Sequence, residues 1–177
     1  MKNLLDFATS LGFNGCAVVE TTQIPFDQTL VKYCQENVCG RYGANYSCPP
    51  HCGTFDQMQQ KILNCKQAVV VQSVFDGVSF DDKQAVALAK HTHNTRLQQL
   101  LAFACANGSN AFVVGATGCE KCNPCALMLD QPCKYPDQVF SCTSAYSIDV
   151  AKLTRICNLS YEWQDGKIFL YGLLLVA

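Results

Sequence analysis

The feature that most restricts what this chain can fold into is the run Gly118-Cys119-Glu120-Lys121-Cys122-Asn123-Pro124-Cys125, with Cys133 and Pro136 close behind. Three thiols recur at every third residue, and a fourth follows on the same stretch. Neighbouring cysteines on a short loop rarely reach the Cα separation a disulfide needs, so this crowding argues against disulfides. It suits a metal cluster, which takes several thiolates from one loop and a further one from later in the chain. A structural zinc site more often uses two separated C-x2-C knuckles than three overlapping cysteines. The spacing therefore favours one or two [4Fe-4S] clusters, with zinc as the alternative. Cys119, Cys122 and Cys125 are the firmest candidate ligands. Cys133 is looser, because Pro136 stands three residues after it rather than next to it.

Thirteen cysteines in 177 residues is a high and odd number. The opening residues Met1 to Asp6 do not read as a secretory signal, since Asp6 interrupts the apolar stretch and no small-residue cleavage site follows. The expectation is a reducing, cytoplasmic setting in which thiols stay free. The apolar run Ile168 to Ala177 is too short to cross a bilayer as a helix. A net charge of −1 and the lack of a basic stripe argue against nucleic acid and membrane surfaces as partners. With 49% hydrophobic and 15% charged residues, the expectation is a single domain spanning 1–177 with a substantial core.

Along the chain, helical spacing of Leu4, Leu5, Phe7, Ala8 and Leu11 predicts a first helix ended by Gly12. Cys16 to Glu20 reads as a strand, and Asp27 caps a short helix through Cys34. Thr54-Phe55-Asp56-Gln57 is a capping box that opens a further helix. Ala68 to Phe75 reads as a buried strand, and Asp81 or Asp82 to Asn107 as the longest helix. His93 lies on that helix's apolar stripe and reads as a hydrogen-bonded core residue; His91 does not share its face. Ala111 to Val114 is a strand leading into the cysteine run. A helix is expected from about Ser144, and Leu159–Trp163 with Ile168–Val176 flank a turn signal for a C-terminal β-hairpin. Strands alternating with helices predict an α/β fold, with α+β as the variant: a mixed sheet of about five strands, packed helices and two cysteine-rich metal-binding loops.

The stretch from Cys34 to Gly53 is rich in Gly, Pro, Asn and Ser, and a loop so long inside a compact domain is usually functional. Cys34, Cys39, Cys48 and Cys52 form a second candidate metal set, with Cys52 the least secure because His51 stands beside it. Spacing leaves two arrangements open: each set holds its own cluster, or the loop lends Cys48 to the downstream site. An anionic cluster needs close approach of backbone N–H groups, and Gly40, Gly43, Gly53, Gly115 and Gly118 read as residues that permit it. Arg41, Lys121 and Lys134 are positioned to offset charge or to face an acidic redox partner. Cys16, Cys65, Cys105 and Cys157 sit in apolar patterns and read as core residues.

Taken together, Cys39-Gly40-Arg41-Tyr42-Gly43, Tyr46-Ser47-Cys48-Pro49-Pro50, Cys119-x2-Cys122-x2-Cys125-Ala126, Cys133-x2-Pro136 and Ala145-Tyr146-Ser147-Ile148-Asp149-Val150 resemble the domain-of-unknown-function 2284 family, from about Tyr33 to Val176. The resemblance implies metal binding, in a family of bacterial and archaeal proteins of which many come from anaerobes; it implies no reaction. The family usually carries serine where this chain has Cys142 and glycine where it has Ser147. Cys142 reads as a simple replacement there, since Cys133 already completes a set of four.

No Walker loop, Rossmann glycine fingerprint or C-x3-C-x2-C radical motif is present. The expected function is therefore a redox, electron-transfer or accessory protein with an unidentified redox partner protein. The alternatives are a structural or regulatory zinc module, or an enzyme whose cluster keeps an open iron. A homo-oligomer is left open.

Overall fold

The computed structural model describes all residues, 1–177. Nine helices and strands make up the α+β fold. In chain order they are α1 (Lys2–Ser10), β1 (Gly15–Glu20), α2 (Val31–Gln35), α3 (Phe55–Leu63), β2 (Gln67–Asp76), α4 (Lys83–Ala106), β3 (Ala111–Val114), α5 (Val150–Ile156) and β4 (Lys167–Val176). Local signals start several of them. The Thr54 hydroxyl accepts from Gln57 N–H while the Gln57 side chain accepts from Thr54 N–H, closing the capping box of α3. Asp82 caps α4 by accepting from the N–H groups of Gln84 and Ala85.

The four strands form one sheet in the order β1-β2-β4-β3, and every neighbouring pair is antiparallel. The expected mixed, roughly five-stranded sheet is thus replaced by four antiparallel strands. The reason lies in β4. Strands β2 and β3, joined by α4, do run parallel to each other, as a β-α-β reading requires, but β4 inserts between them. Val70 pairs Leu173 on one side of it and Val114 pairs Leu173 on the other. That also removes the expected C-terminal hairpin. Both edges of β4 are occupied, so residues 157–166 have no free edge to pair with and form no strand.

Both faces of the sheet are covered. Val69, Val71 and Leu174 point into a cluster with Leu4, Ala8, Leu97, Leu100 and Ala104, under α1 and α4. Ala68, Val70, Leu173 and Leu175 point the other way, into Met58, Ile62, Tyr146, Ile148 and Leu153 from α3, α5 and the segment before α5. The continuous apolar runs in β2 and β4 therefore report burial on two faces and carry no information about strand direction. On the α4 side, His93 is fully buried, with Nδ1 2.8 Å from Ser73 Oγ, and its ring meets Phe13 edge-on. Burial drives its pKa down to about 3, so it packs as neutral imidazole.

The helix expected from Ser144 begins only at Val150, capped by Asp149. Residues 147–149 are drawn instead against the segment after β1: Asp27 N–H donates to Ser147 O and Asp149 N–H to Pro25 O, both bracketing a Phe26–Ile148 bridge. Ser147 adopts a left-handed φ of 54°, which interrupts helix geometry just before the cap.

Candidate metal centres

All candidate ligands except Cys34, which sits on α2, lie on two irregular segments, 36–54 and 115–149. Strand β3 delivers the second of these. Gly115 N–H donates to Ser141 O and Thr143 N–H returns to Gly115 O, so residue 142 is held beside the end of the strand. Asn94 of α4 fixes the next residues, its Oδ1 accepting from Ala116 N–H at 3.0 Å and its Nδ2 donating to Thr117 O. A Cβ on Gly115 would come within 2.7 Å of Asn94 Oδ1 and 2.8 Å of Phe140, so this glycine serves the docking of the loop on α4.

Cys119, Cys122, Cys125 and Cys133 line one hollow, together with Asn45, Tyr46, Lys121, Ala126 and Tyr135. The chain folds back to bring Cys133 in through a short 3-10 turn, Ala126–Leu129, closed by left-handed Asp130. Tyr46 Oη donates to Gln131 O just beyond that turn. Burial raises the Cys119 pKa, and the charges of Cys133, Cys122 and Cys125 add to it. No three His, Cys, Asp or Glu side chains are drawn tightly enough together to cage a single ion. The four thiols surround a hollow rather than a point. The four thiols suit a soft metal or an iron–sulfur core.

The second set gathers differently from the sequence expectation. Cys39, Cys48, Cys52 and Cys142 all lie within charge range of Cys34, and Cys52 and Cys142 pack against one apolar cluster. Burial pushes the Cys34 thiol up to about 12, reinforced by the charges of Cys142, Cys39, Cys48 and Cys52. Cys52 rises to about 11, again by burial first and then by Cys48 and Cys142. Cys48 and Cys142 are also raised, chiefly by burial. Thiols held in this way are poor nucleophiles, and a bound cation would have to displace their protons. Cys142 reads as a replacement in the sequence because Cys133 already completes a set of four. The Gly115 bridge carries it to the other set. His51 packs edge-on against Tyr46.

The two segments are locked together by groups the sequence reading passed over. Asn45 Nδ2 donates to Cys119 O at 3.0 Å, while its Oδ1 accepts from the N–H and hydroxyl of Ser47. Ser47 Oγ in turn accepts from Cys119 N–H at 2.9 Å. Both side chains are buried. The spacing Asn45-x-Ser47 is a local side-chain-to-backbone turn signal, which is how it could have been found. Arg41 donates to Cys119 O and pairs with Glu120 at 2.9 Å, so it braces the first loop instead of standing free for a partner. A Cβ on Gly118 would collide with Ser47 Oγ and sit 3.2 Å from Cys48 Sγ. The first set and the second thus share a wall one glycine thick. Gly40 and Gly43 have no protein atom within 4 Å of where a Cβ would stand, and their φ of 71° and 69° by itself calls for glycine.

Of the four cysteines expected in the core, Cys65 is buried and Cys16 and Cys157 partly so, whereas Cys105 is exposed on the outer side of α4. A groove opens beside the second set, lined by Gln28, Thr29, Lys32, Gln35, Tyr42 and Thr54, by the Pro49-Pro50 step and by the apolar Val31, Phe55 and Ala145. No helix is long and apolar enough to cross a membrane.

No curated protein and no solved structure matches the chain significantly. A family described as "predicted metal-binding protein" (DUF2284) matches residues 17–176, a span that takes in both cysteine sets, the segments that lock them and all of the sheet but the first two residues of β1, and the chain belongs to that family.

Proposed function

We propose that the chain is an iron–sulfur protein with two [4Fe-4S] centres that passes electrons to or from a partner protein. The observation that carries this reading is the shared wall: two separate all-thiol sets meet at Gly118, Ser47 and Cys48. When bound, such clusters supply one-electron chemistry at low potential, tuned by hydrogen bonds and exposure. The chain's own residues supply the rest. Cys119, Cys122, Cys125 and Cys133 would hold the first centre, and Cys34, Cys48 and Cys52, with a fourth thiol from Cys39 or Cys142, would hold the second. Asn45, Ser47 and Arg41 hold the two loops in register. The overlapping spacing of Cys119, Cys122 and Cys125 on one loop supports a multi-iron core over zinc, which more often uses two separated C-x2-C knuckles.

The groove beside the second set favours a second reading, an enzyme that binds a small molecule next to that centre. It carries one cation, Lys32, and no carboxylate among its lining residues. Anaerobic purification followed by iron, zinc and acid-labile sulfide analysis and low-temperature EPR tests the main reading. Iron and sulfide in near-equal amounts, with a reducible paramagnetic signal, are expected. Stoichiometric zinc without sulfide would overturn it.

A further inference from the structure

The second set contains five thiols where a cubane has four corners. They differ in how they are held. Cys142 is fixed from outside the cysteine-rich loop, by the hydrogen bonds of Ser141 and Thr143 to Gly115 at the end of β3. Its side chain packs against the same apolar cluster as Cys52. Cys48 is buried under Gly118. Cys34 sits on α2, and Cys52 N–H is bonded to Cys48 O. Cys39 stands apart: it is the exposed member, next to Val38 at 89% exposure, on a loop tip bounded by left-handed Asn37 and Gly40. Such a tip has few contacts to break if it moves, whereas Cys142 has a sheet edge behind it.

We propose that Cys142 is a ligand of the second centre and that Cys39 is an interchangeable fifth thiol, able to replace it. This rests on the reading of that set as a metal centre, but not on which metal it holds. The same segment, 115–149, then supplies ligands to both centres, which ties their assembly together. The first set has four thiols and no substitute.

The test is metal content per chain, by elemental analysis of anaerobically reconstituted protein, in Cys39→Ser, Cys142→Ser and the double variant. Each single variant should keep the wild-type amount. The double variant should lose the second centre, about half the metal, while far-UV circular dichroism and the first centre persist. Alkylation with iodoacetamide followed by peptide mapping gives an independent reading. Cys39 should be labelled in the loaded wild type and protected in Cys142→Ser. Undiminished metal in the double variant, or loss of half in either single variant, would overturn the proposal. A wild type loaded with zinc would end the iron–sulfur reading and leave this test running on zinc counts.

Discussion

Gly118 leaves no room for a methyl group between the two cysteine loops. Gly118→Ala should therefore force Ser47 and Cys48 aside, at a cost of roughly 1–3 kcal/mol for overpacking, and lower bound metal. Gly40→Ala meets no neighbour and should cost only about 1–2 kcal/mol for its left-handed backbone, with metal content unchanged. Urea denaturation together with metal analysis separates the two outcomes; equal metal loss in both would show that the wall at Gly118 has no special role. His93 gives a pH prediction. Its folded pKa, about 3, lies below the ordinary 6.5, so the unfolded chain binds the extra proton between those values. The stability that neutral His93 confers is fully present above pH 6.5 and is lost as pH falls from there towards 3, by up to about 1.4 kcal/mol per pH unit. His93→Gln should flatten that limb of the urea midpoint against pH, and an unchanged slope would mean other groups dominate it.

At the scale of elements, the sheet and the cysteine loops draw on different sources of order. Strands β2 and β4 pair over ten residues each, with apolar layers on both faces. The loops have short 3-10 turns, a few side-chain ties through Arg41, Asn45, Ser47 and Asn94, and thiols that only a cation would bring to full charge. Metal binding to such a segment contributes directly to its folding. Hydrogen exchange on stripped and loaded protein should show residues 36–54 and 116–140 losing protection when metal is removed, while β2, β4 and α4 keep theirs. Equal protection of the loops in both forms would sink the idea.

For the whole molecule, the thirteen cysteines divide into nine that converge on two neighbouring sets and four that do not. Cys65→Ala should leave metal content intact and cost roughly 1–2 kcal/mol, since a small buried group is lost. Cys105→Ala, at an exposed position, should fall within about 0.5 kcal/mol of wild type. Cys122→Ser should remove metal from the first centre. Metal loss in Cys65→Ala alongside retention in Cys122→Ser would place the ligands elsewhere. The architecture explains the division. Antiparallel strands and flanking helices form a closed core at one side, and the chain leaves that core twice, after β1 and after β3, to build both centres outside it.

The sequence by itself determined whatever depends on near neighbours along the chain. The capping boxes and caps at Thr54, Asp82 and Asp27, the apolar stripe of α4, and the triple spacing of Cys119, Cys122 and Cys125 all act over a few residues, so their outcome was legible. Continuous apolar runs announced β2 and β4 as strands buried on two faces. What they could not announce was direction or order, because burial depends on both faces of a strand while pairing depends on its edges. The insertion of β4 between β2 and β3, and with it the loss of the hairpin at 159–163, was decided only when distant strands competed for those edges. The same holds for the candidate site. In the sequence Cys142 reads as a replacement beside a complete set of four, but the hydrogen bonds at Gly115 hold it among the other set; Asn45 and Ser47 became a clasp only when the fold brought Cys119 to them. Long-range pairing assigned those partners, because a side chain's neighbours across a fold are set by which backbone edges and apolar faces have already been satisfied.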